Sequence, residues 1–203
     1  MPATTFIQVF MNHSAIQEAV TRLKKGQLLL FSWEEGWSLA CNASQDAVSE
    51  RLTAWKAPDS TEPFVILIGE IGQLQQFTEK VPEIAWDLVD FAEKPLTVIY
   101  PKGKNVAPTL LSGDGSIALR LVKENDERNS AIYQLVKRFS RGLATVSVNY
   151  VNLPAAHHLE DVNQELIKSV DFTIDLNSIF KVKQSLSTLI RLELDGQITF
   201  LRR

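Results

Sequence analysis

The chain has 203 residues, 45% of them hydrophobic, enough to bury a sizeable core as one domain, and its formal net charge is -3. That balance gives no global attraction to nucleic acid or to an anionic membrane, so any such contact needs a local basic patch. A single cysteine, Cys41, excludes an internal disulfide framework, and with no signal-peptide pattern and no apolar run of roughly 20 residues the sequence reads as soluble and cytoplasmic, with no membrane partner.

In chain order, Phe6 to Phe10 predicts a first strand, and Ser14 opens a helix whose capping box is completed by Gln17. Ile16, Ala19, Val20 and Leu23 recur at helical spacing, Lys24 and Lys25 complement the dipole of the last turn, and Gly26 ends the helix. Gln27 to Phe31 predicts a short apolar strand. The segment SWEEGWSLA after it sets Trp33, Glu34, Glu35 and Trp37 around Gly36, a loop of the kind that lines clefts, although adjacent loop carboxylates are ordinarily solvated. A capped helix from Ser44 carries Val48, Leu52 and Trp55 inward, leaves Lys56 at its C-terminal end and stops at Pro58.

Phe64 to Ile68 predicts a buried strand, followed by helical stretches from Gln73 to Lys80 and from Pro82 to Ala92 and by a strand from Leu96 to Tyr100. The loop from Pro101 to Gly115 is long enough to be a binding loop or a lid, with Asp114-Gly115 as a turn. The strand from Ser116 to Val122 contains Arg120, and a charge among Ile117, Leu119 and Leu121 needs either the solvent face of an edge strand or an anionic partner. A helix from Asn129 to Ser140 turns Ile132, Leu135, Val136 and Phe139 to one face and gathers Lys137, Arg138 and Arg141 towards its end.

Gly142 then opens the stretch GLATVSVNYVNLP. Leu143, Val146 and Val148 suit a strand covered on both faces, which delivers Ser147 and Asn149 into a turn marked by Asn152 and Pro154. Ligands of open α/β sheets gather at such strand ends; the alternative is that Ser147 and Asn149 only close the turn through side-chain to backbone bonds. A helix from Leu159 to Ser169, a strand from Phe172 to Leu176 and strands from Thr188 to Leu194 and Ile198 to Arg202 complete the chain, the last two joined at Asp195-Gly196 by a two-residue hairpin. Parallel-type crossovers with a terminal antiparallel hairpin predict an α/β fold, a twisted mixed β-sheet with flanking helices, with a doubly wound flavodoxin-like sheet as the alternative.

Neither GxxxxGK[ST] nor GxGxxG occurs, so a nucleotide has to be held by side chains rather than by a phosphate loop. His13, His157 and His158 lack zinc-site spacing, and Cys41, with no neighbouring base or cation, reads as a small core residue.

The order of the pieces GQLLLF, the helix ending in Lys56, FVILI, KPLTVIYP, SIALRLV, SVNYVNLP and STLIRL resembles the YrdC-like domain family, whose characterised members are L-threonylcarbamoyladenylate synthases acting in tRNA modification. The resemblance covers nearly the whole chain and implies a single YrdC-like domain over residues 1–203. It implies ATP with Mg2+ and L-threonine, with bicarbonate, as the reacting ligands. Lys56 falls on the family's ATP-binding lysine, Ser147 and Asn149 on its S-x-N turn near the nucleotide, and Ser116 where a threonine is usual. Arg120 falls on the arginine that meets the threonine substrate, while Thr188 and Arg202 match further positions, for substrate and nucleotide. In the reaction so implied, a carbamate of threonine attacks ATP with pyrophosphate leaving, and Lys56 and Arg120 offset the developing charge.

Two positions depart from the family pattern. P-T-[DE]-T-V-Y-G-L is here SWEEGWSL, which puts Glu35 in place of a hydroxyl, and the arginine of K-x-R is replaced by Pro58. A carboxylate repels a substrate carboxylate or a phosphate, and a lost arginine removes bidentate contact with ATP. Three functions follow: a synthase with a degenerate motif; a non-catalytic nucleotide- or double-stranded-RNA-binding protein using Lys102, Lys104, Lys137, Arg138 and Arg141; or a domain acting only through a protein partner. The nucleotide-site reading requires Lys56, Arg120 and Ser147 to converge on one concave surface, with Trp33, Glu35 and Trp37 narrowing or recharging it.

Overall fold

The computed structural model describes residues 3–33, 35–56, 62–124, 130–148, 156–176 and 186–203, with the backbone alone for 3–13 and 130. Among them are the strands β1 (Leu29–Trp33), β2 (Gly36–Asn42), β3 (Val65–Ile68), β4 (Leu96–Tyr100), β5 (Ile117–Leu121), β6 (Leu143–Ser147), β7 (Phe172–Asp175), β8 (Thr188–Leu192) and β9 (Ile198–Arg202). They form one sheet in the order β7-β1-β2-β6-β3-β5-β4-β8-β9. The pairs β1 with β7, β3 with β5 and β4 with β8 are parallel and the rest antiparallel. This is the expected mixed α/β sheet, and its antiparallel pairs exclude the flavodoxin-like alternative.

The helices α2 (Asp46–Thr53), α3 (Leu74–Phe77), α4 (Glu83–Asp90) and α6 (Gln164–Ser169) cover one face, packing Leu52, Phe77, Val89 and Leu166 against Leu39, Ile66, Leu119 and Ile190. The helices α1 (Ala3–Lys24) and α5 (Ser130–Phe139) cover part of the other, where Leu23 and Phe139 meet Phe31, Ala40, Leu67 and Leu143. The alternation of side chains along β6 serves both layers, Leu143 towards α5 and Ala144 towards the opposite core, which is the two-sided burial its apolar run demands.

The predicted first strand does not form: residues Phe6 to Phe10 lie within α1. Short runs of apolar and β-branched residues fit strand or buried helix equally, and a helix satisfies its backbone bonds without a partner strand, so the amphipathic turns from Ile16 to Leu23 extend towards the N-terminus. Gly26 does end the helix, at φ 76°, with Gln27 N–H returning to Arg22 C=O in a Schellman-type closure. The helix after Asn42 begins at Asp46 behind Gln45, which gives no side-chain cap, because the Ser44 hydroxyl is turned back to Asn42. The helices predicted from Gln73 and Leu159 are each shortened and preceded by a 3-10 turn, Ile71–Gln73 and Leu159–Asp161.

The loop after Tyr100 is pinned rather than free to act as a lid, since Lys104 N–H bonds Phe77 C=O, Ala107 N–H bonds Ala43 C=O, and Leu110 is buried. The last hairpin has three loop residues rather than two: Leu192 pairs with Ile198, Glu193 N–H bonds Gln197 C=O, and Gly196 takes φ 89°. No described helix is long and apolar enough to cross a membrane.

Candidate nucleotide cavity and a buried ion pair

The segment SWEEGWSL is not an open loop but the reversal of a hairpin in which Trp33 pairs with Gly36 and Ser32 with Trp37. Gly36, at φ 96°, supplies the conformation the tight turn requires. Strand alternation then sends Trp37 into the core beneath α2 and Trp33 to the opposite face, where its indole N–H donates to the Ser38 hydroxyl at 2.9 Å. Of the two tryptophans expected to narrow a cleft, only Trp33 reaches it. Glu34 lies outside the described residues.

Glu35 is buried, 9% exposed, which overturns its reading as a solvated loop carboxylate. Its Oε1 accepts from Arg120 Nη1 at 2.6 Å and from the Ser187 backbone N–H at 3.0 Å. Arg120, 2% exposed, projects from β5, which is an inner strand between β3 and β4, so the edge-strand alternative for this arginine fails and the anionic-partner reading holds. Its guanidinium also stacks over the Trp33 ring at 4.6 Å. Burial is the largest influence on the Glu35 carboxyl and raises its pKa; the Ser187 N–H and hydroxyl and the charge of Arg202 oppose that, and Glu62 adds to it. A guanidinium that stays protonated is what makes a carboxylate tolerable at this depth.

A cavity of about 150 Å³ opens at the carboxyl end of β6 and the start of β3, lined among others by Trp33, Glu35, Ser38, Lys56, Glu62, Thr145, Ser147 and Arg202. Ser147 and Thr145 reach it because they share the face of Leu143, opposite Ala144, and Val65 pairs with Thr145 across the strand boundary. Lys56 comes from the turn after α2, its ammonium 4.6 Å from the Phe64 ring centre, and no hydrogen bond or ion pair joins that ammonium to another described side chain. Burial lowers its pKa and Glu62 works in the other direction. Arg202 Nη1 binds Glu62 at 2.8 Å while its Nε donates to the Ser187 C=O at 3.1 Å. A slot of about 80 Å³, lined by Leu39, Trp55, Val146, Val148 and Leu166 together with the polar Ser147 and Asn163, adjoins the cavity through Trp55, Val146 and Ser147.

The fold that carries this cavity has counterparts among known proteins. The Sua5/YciO/YrdC family profile, described as telomere recombination, matches residues 21–203. The chain belongs to that family. A threonylcarbamoyl-AMP synthase of Chromohalobacter salexigens is 27% identical over 148 residues, covering 72% of this chain and 77% of the relative. The structure of Pyrococcus abyssi Sua5 complexed with L-threonine superposes with a TM-score of 0.73 at 22% identity, covering 92% of this chain and 53% of that one, so the chain spans about half its length. Escherichia coli YciO gives a TM-score of 0.71 at 19% identity, covering 93% of this chain and 88% of that one. At such identities the structural likeness speaks for the YrdC fold.

Of the positions matched to the YrdC pattern, the fold brings Lys56, Ser147 and Arg202 to one cavity and sets Arg120 against it through Glu35. Ser116 shares the face of Arg120 but does not line the cavity; its N–H and hydroxyl are turned to Asp114 in the predicted turn. Thr188 pairs with Leu96 on the opposite face, beside Leu88 and Phe91. Asn149 and Pro58 lie outside the described residues. Two of the basic residues considered for RNA are engaged, Lys102 with Glu79 at 3.6 Å and Lys137 with the Tyr133 hydroxyl at 2.8 Å. Cys41 is the expected core residue, its thiol pushed up to about 11 by burial. Sequence reasoning passed over Ser187, Glu62 and Trp55. Ser187 acts largely through its backbone, which residue type does not signal, whereas Trp55 stands beside Lys56 and its helical spacing points only to the core.

Proposed function

We propose that this chain binds ATP, with Mg2+ carried by the nucleotide, in the cavity beside Lys56. The reading places it in the chemistry of threonylcarbamoyl-AMP synthesis, from L-threonine, bicarbonate and ATP, as a nucleotide-binding member with weak or no turnover. One observation carries it: Lys56 lines a cavity shared with Ser147 and Arg202, and its ammonium, held over the Phe64 ring, has no ion pair to another described residue. A cation in that state supplies what phosphates require, the Ser147 hydroxyl adds a hydrogen bond, and the Trp55 slot offers an apolar wall for a base.

The Arg120–Glu35 pair favours the non-catalytic form of this reading. Attack on the α-phosphate with loss of pyrophosphate needs cations aimed at the developing charge. Arg120 is committed to Glu35 and Arg202 to Glu62, which leaves Lys56 to act largely alone. Thermal melting with ATP and Mg2+ tests binding: a ligand at 100 times its dissociation constant adds about 2.7 kcal/mol. Pyrophosphate release dependent on threonine and bicarbonate tests turnover, and a rate matching that of the synthases contradicts the non-catalytic form.

A further inference from the structure

Arg120 meets the cavity only by way of another side chain. Glu35 lines the cavity, and the guanidinium lies behind it, with Nη1 2.6 Å from Glu35 Oε1. The same oxygen accepts the Ser187 N–H at 3.0 Å, and the Trp33 ring covers the guanidinium at 4.6 Å. A guanidinium held against an indole, with a backbone N–H converging on the same acceptor, has the makings of a receptor for a carboxylate. Here the carboxylate belongs to the chain, presented by a hairpin turn closed by the Trp33–Gly36 pair. Tethering gives it an effective concentration that a free metabolite does not match, and the hairpin has already lost the freedom that a free ligand would lose on binding.

Resting on the nucleotide-site reading above, we infer that Glu35 is a built-in carboxylate filling the anion subsite at Arg120, so that the cavity admits a nucleotide and excludes carboxylate co-ligands, α-amino acids among them. Glu35 is therefore a specificity-determining residue. It acts by occupying the receptor, so that an incoming carboxylate finds the Arg120 guanidinium and the Ser187 N–H already taken.

The test is thermal melting of wild type, Glu35→Ala and Glu35→Gln with formate, L-threonine, L-threoninol or ATP with Mg2+, at matched ionic strength. Wild type is expected to respond to ATP with Mg2+ and not to formate or L-threonine. Glu35→Ala melts lower and regains at least half of the lost temperature with formate or L-threonine, but nothing with L-threoninol, which keeps the amine and lacks the carboxylate. Glu35→Gln keeps the shape and an acceptor for Ser187, so it loses less and responds to formate more weakly; it carries the test if Glu35→Ala does not fold. Wild type responding to L-threonine as strongly as the variants overturns the inference, as do variants indifferent to every carboxylate. Absence of an ATP response with the carboxylate pattern intact overturns the nucleotide reading instead.

Discussion

On the face covered by α2, α3, α4 and α6 an apolar layer runs from Leu39 and Ala144 through Ile66 and Leu119 to Val98 and Ile190, whereas the opposite face is broadly apolar only beneath α1 and α5. Beyond those helices it carries Thr145, Arg120, Thr97 and Ser187, all buried, with only the small cluster of Ile99, Ala118 and Leu189 among them. One continuous core on one side is enough to fix the sheet, and the other side can then hold polar groups at depth provided each finds a partner. Thr97 and Ser187 meet at 2.8 Å, and the Thr145 hydroxyl donates to Val65 C=O at 2.9 Å, so each of these hydroxyls has a partner.

The sharpest way to break this arrangement is Arg120→Ala, which leaves Glu35 buried without its cation. We expect a loss of about 3 to 5 kcal/mol in urea unfolding, against little change when Arg120→Met is combined with Glu35→Leu, because removing both charges removes the need for either. A double variant as unstable as the single one contradicts the account of the pair. On the apolar face, Gly142→Ala brings a methyl within 2.8 Å of Ile66 and Phe77, and an overpacking loss of about 1 to 3 kcal/mol is expected in the same measurement.

How much of this was legible depended on sequence separation. The strands around Ile66, Val98, Leu119 and Ala144 are readable from local apolar runs, and the match to the YrdC pattern marks Lys56, Ser147 and Arg202, which line one cavity. Arg120 called for either the solvent face of an edge strand or an anion, and the sequence does not name the anion because Glu35 lies 85 residues away in what reads as an ordinary solvated pair. The run at Phe6 was misread for the opposite reason: its composition was clear and its period was not, and only the sheet order, which places no strand there, decides it.

Lys56→Ala separates site from scaffold. The ammonium supports no ion pair to another described residue and loses only its contact with the Phe64 ring, so unfolding free energy should move by no more than about 1 kcal/mol, while ATP affinity falls at least about tenfold, equivalent to ~1.4 kcal/mol. Equal affinity in the variant contradicts the assignment of Lys56. The smallest effect concerns Asp114 at the rim of the polar half. The Ser116 hydroxyl and N–H, and after them Arg191, hold its carboxyl at about 2. A carboxyl depressed in the folded state stabilises the fold above its unfolded pKa, and that contribution fades as pH falls from about 4 towards 2. Wild type should therefore lose melting temperature more steeply over that interval than Asp114→Asn, by a modest margin because the group is half exposed. Parallel profiles contradict the assignment.

The most direct test of the central claim is a calorimetric titration of ATP with Mg2+ into the wild-type protein, with and without saturating L-threonine and bicarbonate. The account predicts one-site binding with the same dissociation constant in both and at most weak release of pyrophosphate. Failure of ATP to bind, or tightening by threonine accompanied by pyrophosphate release, contradicts it.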